Sequence, residues 1–184
     1  MATRVEPSPA VNPAALAEQA RAGRVGHTHA LGELYRLYGQ ALFRVAYRLT
    51  GSRDDAEDVL HDVFVGLPEA LERYEERGRL DAWLRRLTAR EALMRLRKGR
   101  RRAELRLDQY DAPAAPSGRE GELGDLQAAV DALPTPLRSV LVLKEIEGYS
   151  HSETAEMLGI SVVTSRVRLM RAMGRLRRKL GGKR

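Results

Sequence analysis

The fold is decided by the stretch Ser150–Arg178, which reads SHSETAEMLGISVVTSRVRLMRAMGRLRR. Ser150 and Glu153 have capping-box spacing and predict the start of a helix. Gly159 predicts its end, because a residue without a Cβ turns the chain without a clash. A second, longer helix should then run to about Leu180. A short helix, a glycine turn and a long basic helix are the layout of a helix-turn-helix.

The second helix of this motif has an apolar face and a basic face. Leu169, Ala172 and Leu176 should hold it on a core, and the small Ala155 lets the two helices cross closely. A helix fits the major groove of DNA, where Arg binds guanine or phosphates. An ordinary helical hairpin with an exposed arginine face is the alternative. The arginines that should project from the core are Arg166, Arg168 and Arg171.

Apolar side chains at three- and four-residue spacing predict six further helices upstream of the motif. Pro68 should end or kink the third helix of the chain near Leu67. Residues 72–79 are polar and predict a loop. The six helices are expected at about 13–22, Ala30–Thr50, Asp54–Leu67, Leu80–Lys98, Leu126–Leu133 and Pro136–Glu147.

Residues 111–124 have the composition of a linker, with proline, glycine and no apolar periodicity. We therefore predict an all-α fold of two small helical bundles joined by a flexible linker. The expected parts are an N-terminal tail and short helix (1–23), a first bundle (24–102), the linker (103–122), a second bundle (123–180) and a basic tail (181–184).

Composition excludes several classes of protein. The 184 residues contain no cysteine, which excludes disulfide scaffolds and thiolate metal sites. With 43% hydrophobic residues, the chain has enough apolar material for packed cores. No run of 18 apolar residues predicts a membrane span, and the first eleven residues do not resemble a signal peptide. A soluble cytoplasmic protein, monomeric when free, is the expectation.

The net charge of +7 is unevenly distributed. Residues 161–184 carry nine basic residues and no acid, and residues 95–102 carry six basic residues. Acidic residues crowd into 54–62 instead. This segregation favours two contacts with a polyanion and one different partner surface. Solvated helix ends are the alternative for either basic block alone.

An enzyme is disfavoured by the motifs. Asp58, His61 and Asp62 lie on one helix and could ligate a metal, but no second helix carries a matching set. No glycine-rich phosphate loop and no nucleophile elbow is present. We expect no catalytic residue, no metal and no cofactor.

Taken in order, three stretches resemble an extracytoplasmic-function sigma factor of bacterial RNA polymerase. Residues 55–64 are similar to the acidic core-binding helix of sigma region 2. Residues 82–87, leading into 95–102, are similar to its DNA-melting helix. Residues 133–180 are similar to sigma region 4, most closely at 147–150 and 155–160.

The resemblance implies a sigma factor that binds core RNA polymerase and promoter DNA and is held by an anti-sigma protein. A stand-alone helix-turn-helix regulator is the alternative. The implied core-binding residues are Asp58, Leu60, His61, Asp62 and Phe64. The implied minus-10 DNA residues are Arg79, Arg86, Arg90, Arg95, Arg97, Lys98, Arg100 and Arg101. The implied minus-35 DNA residues are Ser150, Val163, Thr164, Arg166, Val167, Arg168 and Arg171.

The chain departs from the family pattern at several positions. Pro68 stands where tryptophan is frequent. Arg90 and Met94 replace a common Asn and Asp, so minus-10 specificity does not carry over. In the recognition helix, the polar Ser165 takes an apolar position and the apolar Val167 takes a groove-facing one. Base preference at minus-35 is therefore expected to differ.

Overall fold

The computed structural model describes residues 12–22, 24–75, 79–105 and 122–181, which form helices and connections without a strand. The predicted tail 1–11, Gly23, most of the predicted linker (106–121) and residues 182–184 lie outside this description. The helices are α1 (Pro13–Gln19), α2 (His27–Thr50), α3 (Arg53–Glu72), α4 (Leu80–Leu105), α5 (Glu122–Asp131), α6 (Thr135–Leu141, continued by a π-helical turn, Val142–Ile146), α7 (His151–Leu158) and α8 (Val162–Gly181).

Helices α1–α4 form the first bundle. Helix α2 packs against α1, α3 and α4, and its leucines Leu34, Leu42 and Leu49 are fully buried. The helix ends at Gly51, whose φ of 73° lies in the left-handed region that favours glycine. The predicted apolar face of α2 is therefore the face that builds the core.

The bounds of α3 differ from the prediction at both ends. The helix is capped by Ser52, whose hydroxyl accepts from the Asp55 N–H at 3.3 Å, and it begins at Arg53, one residue before the predicted start at Asp54. Pro68 does not end the helix, which continues to Glu72. Leu67 and Leu71 on either side of the proline are fully buried, and their packing offsets the lost helical hydrogen bond.

Helix α4 begins at Leu80 as predicted but runs to Leu105, seven residues past Lys98. The extension enters the range 103–122, which the sequence predicts as linker. Arginine and lysine are good helix formers, and this explains why the helix persists where apolar periodicity has faded.

Helices α5–α8 form the second bundle around Leu133, Leu141, Ala172 and Leu176. The predicted capping box of Ser150 and Glu153 is present at the start of α7. Gly159 ends α7 with a φ of 64°, as the turn requires. The predicted helix-turn-helix is therefore the motif that α7 and α8 form.

The two bundles pack against each other, which the prediction of a flexible junction did not include. Val142 and Leu143 of the π-helical turn and Met157 of α7 share one buried cluster with residues of α2, α3 and α4. Leu143 is fully buried. In this structure the second bundle therefore lies against the first.

Candidate polymerase and nucleic-acid interfaces

The start of α7 is fixed by reciprocal hydrogen bonds. The Ser150 N–H donates to Glu153 Oε2 at 2.9 Å, and the Glu153 N–H donates to Ser150 Oγ at 3.2 Å. The hydrogen bond from the Ser150 backbone holds the pKa of the Glu153 carboxyl below its ordinary value. Ser150, a predicted minus-35 residue, thus lies exposed at the N-terminus of α7, where an anion would be favoured.

Helix α8 presents one face to solvent along its whole length. Ala172 and Leu176 anchor the opposite face, and Val163 is 67% exposed in the first turn. The Thr164 N–H donates to Ser161 Oγ at 3.0 Å and caps the helix. The structure brings the predicted minus-35 residues together on this surface: Val163, Arg166 and Arg171 are exposed, and Thr164, Val167 and Arg168 are half-buried.

The acidic face predicted for polymerase binding is formed by α3. Asp58, His61 and Asp62 are exposed, whereas Leu60 lies in the core and offers no surface to a partner. Phe64 is half-buried. Of the five predicted residues, the three polar ones are therefore available to a partner, whereas Leu60 and Phe64 pack beneath them.

An apolar patch beside this acidic face was not predicted. Tyr35 of α2 packs its ring edge-on against Phe64, with ring centroids 5.0 Å apart, and remains half exposed. Val65 of α3 is also exposed. The sequence pattern gives little indication of this patch, because Tyr35 and Val65 both fall outside the apolar stripes of their helices.

Arg95 connects the acidic face to the predicted DNA helix. Its Nε donates to Asp55 Oδ1 at 2.8 Å, and its Nη2 donates to Asp58. The hydrogen bond to Asp55 raises the pKa of the Arg95 guanidinium, which stays charged at any physiological pH. Arg95, which is predicted to bind the minus-10 element, and Asp58, which is predicted to bind core polymerase, therefore form an ion pair in this structure.

Other cations of α4 contact the second bundle. Arg86 lies 3.8 Å from Glu153 and 6.0 Å from the centre of the Tyr149 ring, whose hydroxyl has a pKa raised mainly by burial. Arg97 donates to the Met157 carbonyl. The predicted minus-10 residues Arg79, Arg90 and Lys98 are exposed, and the side chains of Arg100 and Arg101 lie outside the described residues.

A cleft of about 890 Å³ lies where the loop before α4 faces the second bundle. Trp83 and Tyr74 pack against each other at its wall, with ring centroids 4.7 Å apart. Trp83 is half-buried against the core of the first bundle and also forms part of the cleft wall. The cleft is lined by four arginines (Arg73, Arg79, Arg85 and Arg86) and four acidic residues (Glu75, Asp81, Glu147 and Glu153).

Sequence reasoning missed the two buried charges between the bundles. Arg138 is 3% exposed and donates to the carbonyls of Leu49 at 3.4 Å and Thr50 at 3.0 Å, at the end of α2. It also donates to the Asp131 carbonyl at 3.1 Å. A signal existed, because Arg138 precedes Leu141 by three residues and therefore lies on the apolar face of α6.

Glu147 is the second missed charge, with a side chain only 2% exposed. Its carboxylate lies 3.4 Å from Arg85 and 4.0 Å from Arg48, both in the first bundle. The π-helical turn that precedes Glu147 has no reliable sequence signature. The buried position of Glu147 is therefore set by packing between distant parts of the chain, which the sequence pattern does not predict.

Within the described residues, no group of histidine, aspartate and glutamate side chains is placed to hold a metal ion, and no helix is long and apolar enough to cross a membrane. An exposed basic helix in a helix-turn-helix, a basic α4 and an acidic α3 are the features of an all-helical protein of the DNA-binding class.

Comparison with known families then identifies the chain. Residues 34–102 match Sigma-70 region 2, and residues 123–176 match Sigma-70, region 4. The chain belongs to the extracytoplasmic-function (ECF) sigma factors, which direct RNA polymerase to promoters.

Relatives of known function agree. The ECF RNA polymerase sigma factor SigE of Mycolicibacterium smegmatis is 38% identical over 153 residues, which are 79% of this chain and 59% of that protein. The RNA polymerase sigma factor CnrH of Cupriavidus metallidurans is 30% identical over 82% of this chain and 86% of its own length.

A solved structure shows the same architecture. The sigma factor RpoE of Bartonella quintana, in complex with the anti-sigma factor NepR, superposes with a TM-score of 0.60 at 26% identity. The match covers 83% of this chain and 98% of that one. The predicted all-α fold with two sigma domains is therefore confirmed, and a stand-alone regulator is not favoured.

Proposed function

We propose that three surfaces of this chain divide the work of promoter recognition. The exposed acidic face of α3, around Asp58, His61 and Asp62, docks on core RNA polymerase. Helix α4 and the loop before it bind the minus-10 element, and α8 reads the minus-35 element. The observation that carries the proposal is the exposed acidic face of α3, because a regulator that binds duplex DNA alone has no use for it.

The chain itself makes no covalent bond in this proposal. The polymerase forms the phosphodiester bonds, and the chain supplies binding and orientation. We accordingly place it in the cytoplasm, with core RNA polymerase and promoter DNA as partners and no cofactor. An anti-sigma protein is a further expected partner, supported by the similarity to a sigma factor solved with one bound.

Promoter binding requires the two bundles to separate. Elements centred at minus-10 and minus-35 are roughly 85 Å apart along B-DNA, at about 3.4 Å per base pair. In this structure, however, Arg86 of α4 lies 3.8 Å from Glu153 of the helix-turn-helix. Because α4 and α8 cannot reach both elements from this arrangement, the contacts between the bundles must break first.

Size-exclusion chromatography with bacterial core RNA polymerase tests the docking surface. The variant Asp62→Ala is expected to weaken co-elution, because it removes an exposed charge and leaves the hydrogen bonds of Arg95 to Asp55 and Asp58 in place. Glu57→Ala is the matched control, since Glu57 is also acidic and exposed on α3 but lies about 140° around the helix from Asp62. Failure of the parent chain to co-elute, or equal losses in both variants, would contradict the assignment of the α3 face.

In vitro transcription by the reconstituted holoenzyme tests the DNA surfaces. Arg166→Ala and Arg171→Ala are expected to reduce initiation from promoters that depend on minus-35, while core binding is kept. Arg177→Ala is the control, because Arg177 is exposed near the other end of α8. Equal loss in all three variants would mean that α8 acts through general charge and not through a specific face.

A further inference from the structure

A buried polar contact joins the two helices of the DNA-reading motif. Ser165, in the first turns of α8, is fully buried, and its Oγ lies 3.0 Å from Nδ1 of His151, the first residue of α7. Ser165 occupies the position at which the resembling family has an apolar residue. The crossing of α7 and α8 therefore relies here on a hydrogen bond as well as on packing.

A hydrogen bond controls rotation in a way that apolar packing does not. Apolar burial depends on area and has no preferred direction, whereas a hydrogen bond requires a donor–acceptor distance of about 2.7–3.2 Å and weakens steeply below an angle of about 120°. Ser165 projects toward α7 from the axis of α8. The bond to His151 therefore limits how far α8 turns about its own axis.

The rotation of α8 decides which side chains reach the bases. At about 100° per residue, Val163 and Met170 project from α8 roughly 140–160° away from Ser165, and both are about two-thirds exposed. Side-chain tips lie about 5–6 Å from a helix axis, so a turn of about 20° moves them by about 2 Å. Hydrogen bonds to base edges tolerate about 0.5 Å, and such a turn would therefore change the bases read.

We propose that His151 and Ser165 form a positioning pair that fixes the rotation of α8 and thereby sets the base preference at minus-35. The proposal rests on the assignment of α8 to that element, made above. Neither side chain is required to touch DNA. The pair acts by holding Val163, Thr164, Arg166 and Val167 in register with the groove.

The test uses the reconstituted holoenzyme and a promoter library that is randomised at minus-35 with a constant minus-10 element. His151→Ala, Ser165→Ala and the double variant are each expected to lose discrimination by about two- to tenfold at the same base positions, as for one lost hydrogen bond. The double variant should resemble either single one, because the two residues share one contact. His151→Asn should restore the parent profile, since its amide reaches the place of Nδ1.

A structural role alone predicts a different pattern. Ser139→Ala is the matched control, because Ser139 is a buried serine of the same bundle, on α6. It should leave the base profile unchanged, whatever its effect on the melting temperature. If His151→Ala and Ser165→Ala also leave the profile unchanged, the proposal is overturned, whatever their melting temperatures. A parent holoenzyme without any preference at minus-35 would overturn both the assignment of α8 and the proposal.

Discussion

Arg138 holds the two bundles together, and its replacement by methionine should open them. Methionine keeps much of the apolar stem but removes every donor. The lost contacts between bundles are those to the carbonyls of Leu49 and Thr50, which are among the last of α2 and have no helical partner. In the closed arrangement Arg138→Met would leave both carbonyls buried without this donor.

The size of the effect follows from these two bonds. A hydrogen bond from a charged donor contributes about 1.5–3 kcal/mol, so the pair amounts to about 3–6 kcal/mol. The lower figure applies, because the bond to Leu49 is long at 3.4 Å and the guanidinium regains water on opening. A loss of about 3 kcal/mol shifts the equilibrium toward the open arrangement by about 150-fold.

Distance measurements between two spin labels read out this equilibrium directly. The chain contains no cysteine, so Gln40→Cys and Arg177→Cys, both at exposed positions, provide one label on each bundle. The parent should give one short distance, and Arg138→Met should add a broad population at longer distance. Arg44→Met is the matched control, because Arg44 is an exposed arginine of α2. An unchanged distance distribution in Arg138→Met would refute the reasoning, since it would show that the buried guanidinium does not hold the bundles together.

Four further results are expected. Ser150→Ala should cost about 1 kcal/mol in chemical denaturation by removing the cap of α7. The lowered pKa of Glu153 contributes stability that is present above the ordinary pKa of a glutamate and is lost as pH falls through the lowered value, so Glu153→Gln should flatten this part of the pH–stability curve. Leu143→Ala should lower the free energy of unfolding by about 2–5 kcal/mol, because the residue is fully buried between the bundles. Holoenzyme affinity for promoter DNA should fall with salt at a log–log slope near about −4.5 if roughly five phosphates are neutralised, and a slope near zero would contradict the basic surfaces.

Local signals in the sequence were sufficient for most helix ends. The Ser150–Glu153 box and Gly159 act within one turn of chain, so their spacing alone predicted α7 and its termination. Pro68 misled for the opposite reason. Its local cost is offset by Leu67 and Leu71, which are buried by distant parts of the chain.

The contact between the bundles was beyond sequence pattern for a physical reason. The spacing places Arg138 on the apolar face of α6, but the charge of a side chain argues against burial, because arginine and glutamate are almost never fully buried unless they are paired. Glu147 has no such spacing signal. The partners of Arg138 and Glu147 in the first bundle are about 60 to 100 residues away in the chain. The predicted site residues, in contrast, were brought together where they share one helix, as on α3 and α8.

These contacts also explain why a chain with two basic surfaces need not bind promoters by itself. If the closed arrangement is favoured by about 3 kcal/mol, only about one molecule in 150 is open, and apparent affinity for DNA falls by the same factor. Arg86 and Arg97 of α4 are engaged with the second bundle in that arrangement, so the groups proposed to bind DNA also hold the bundles together. We expect Arg138→Met to raise the affinity of the free chain for a promoter containing both elements by about 75-fold, because the open fraction rises from about one in 150 to about one in two. Fluorescence anisotropy measures this change, and the affinity for an isolated minus-35 duplex should stay nearly unchanged. An equal rise in affinity for the full promoter and for the minus-35 duplex would contradict this explanation. It would show that the closed arrangement covers the DNA-binding face of α8 itself.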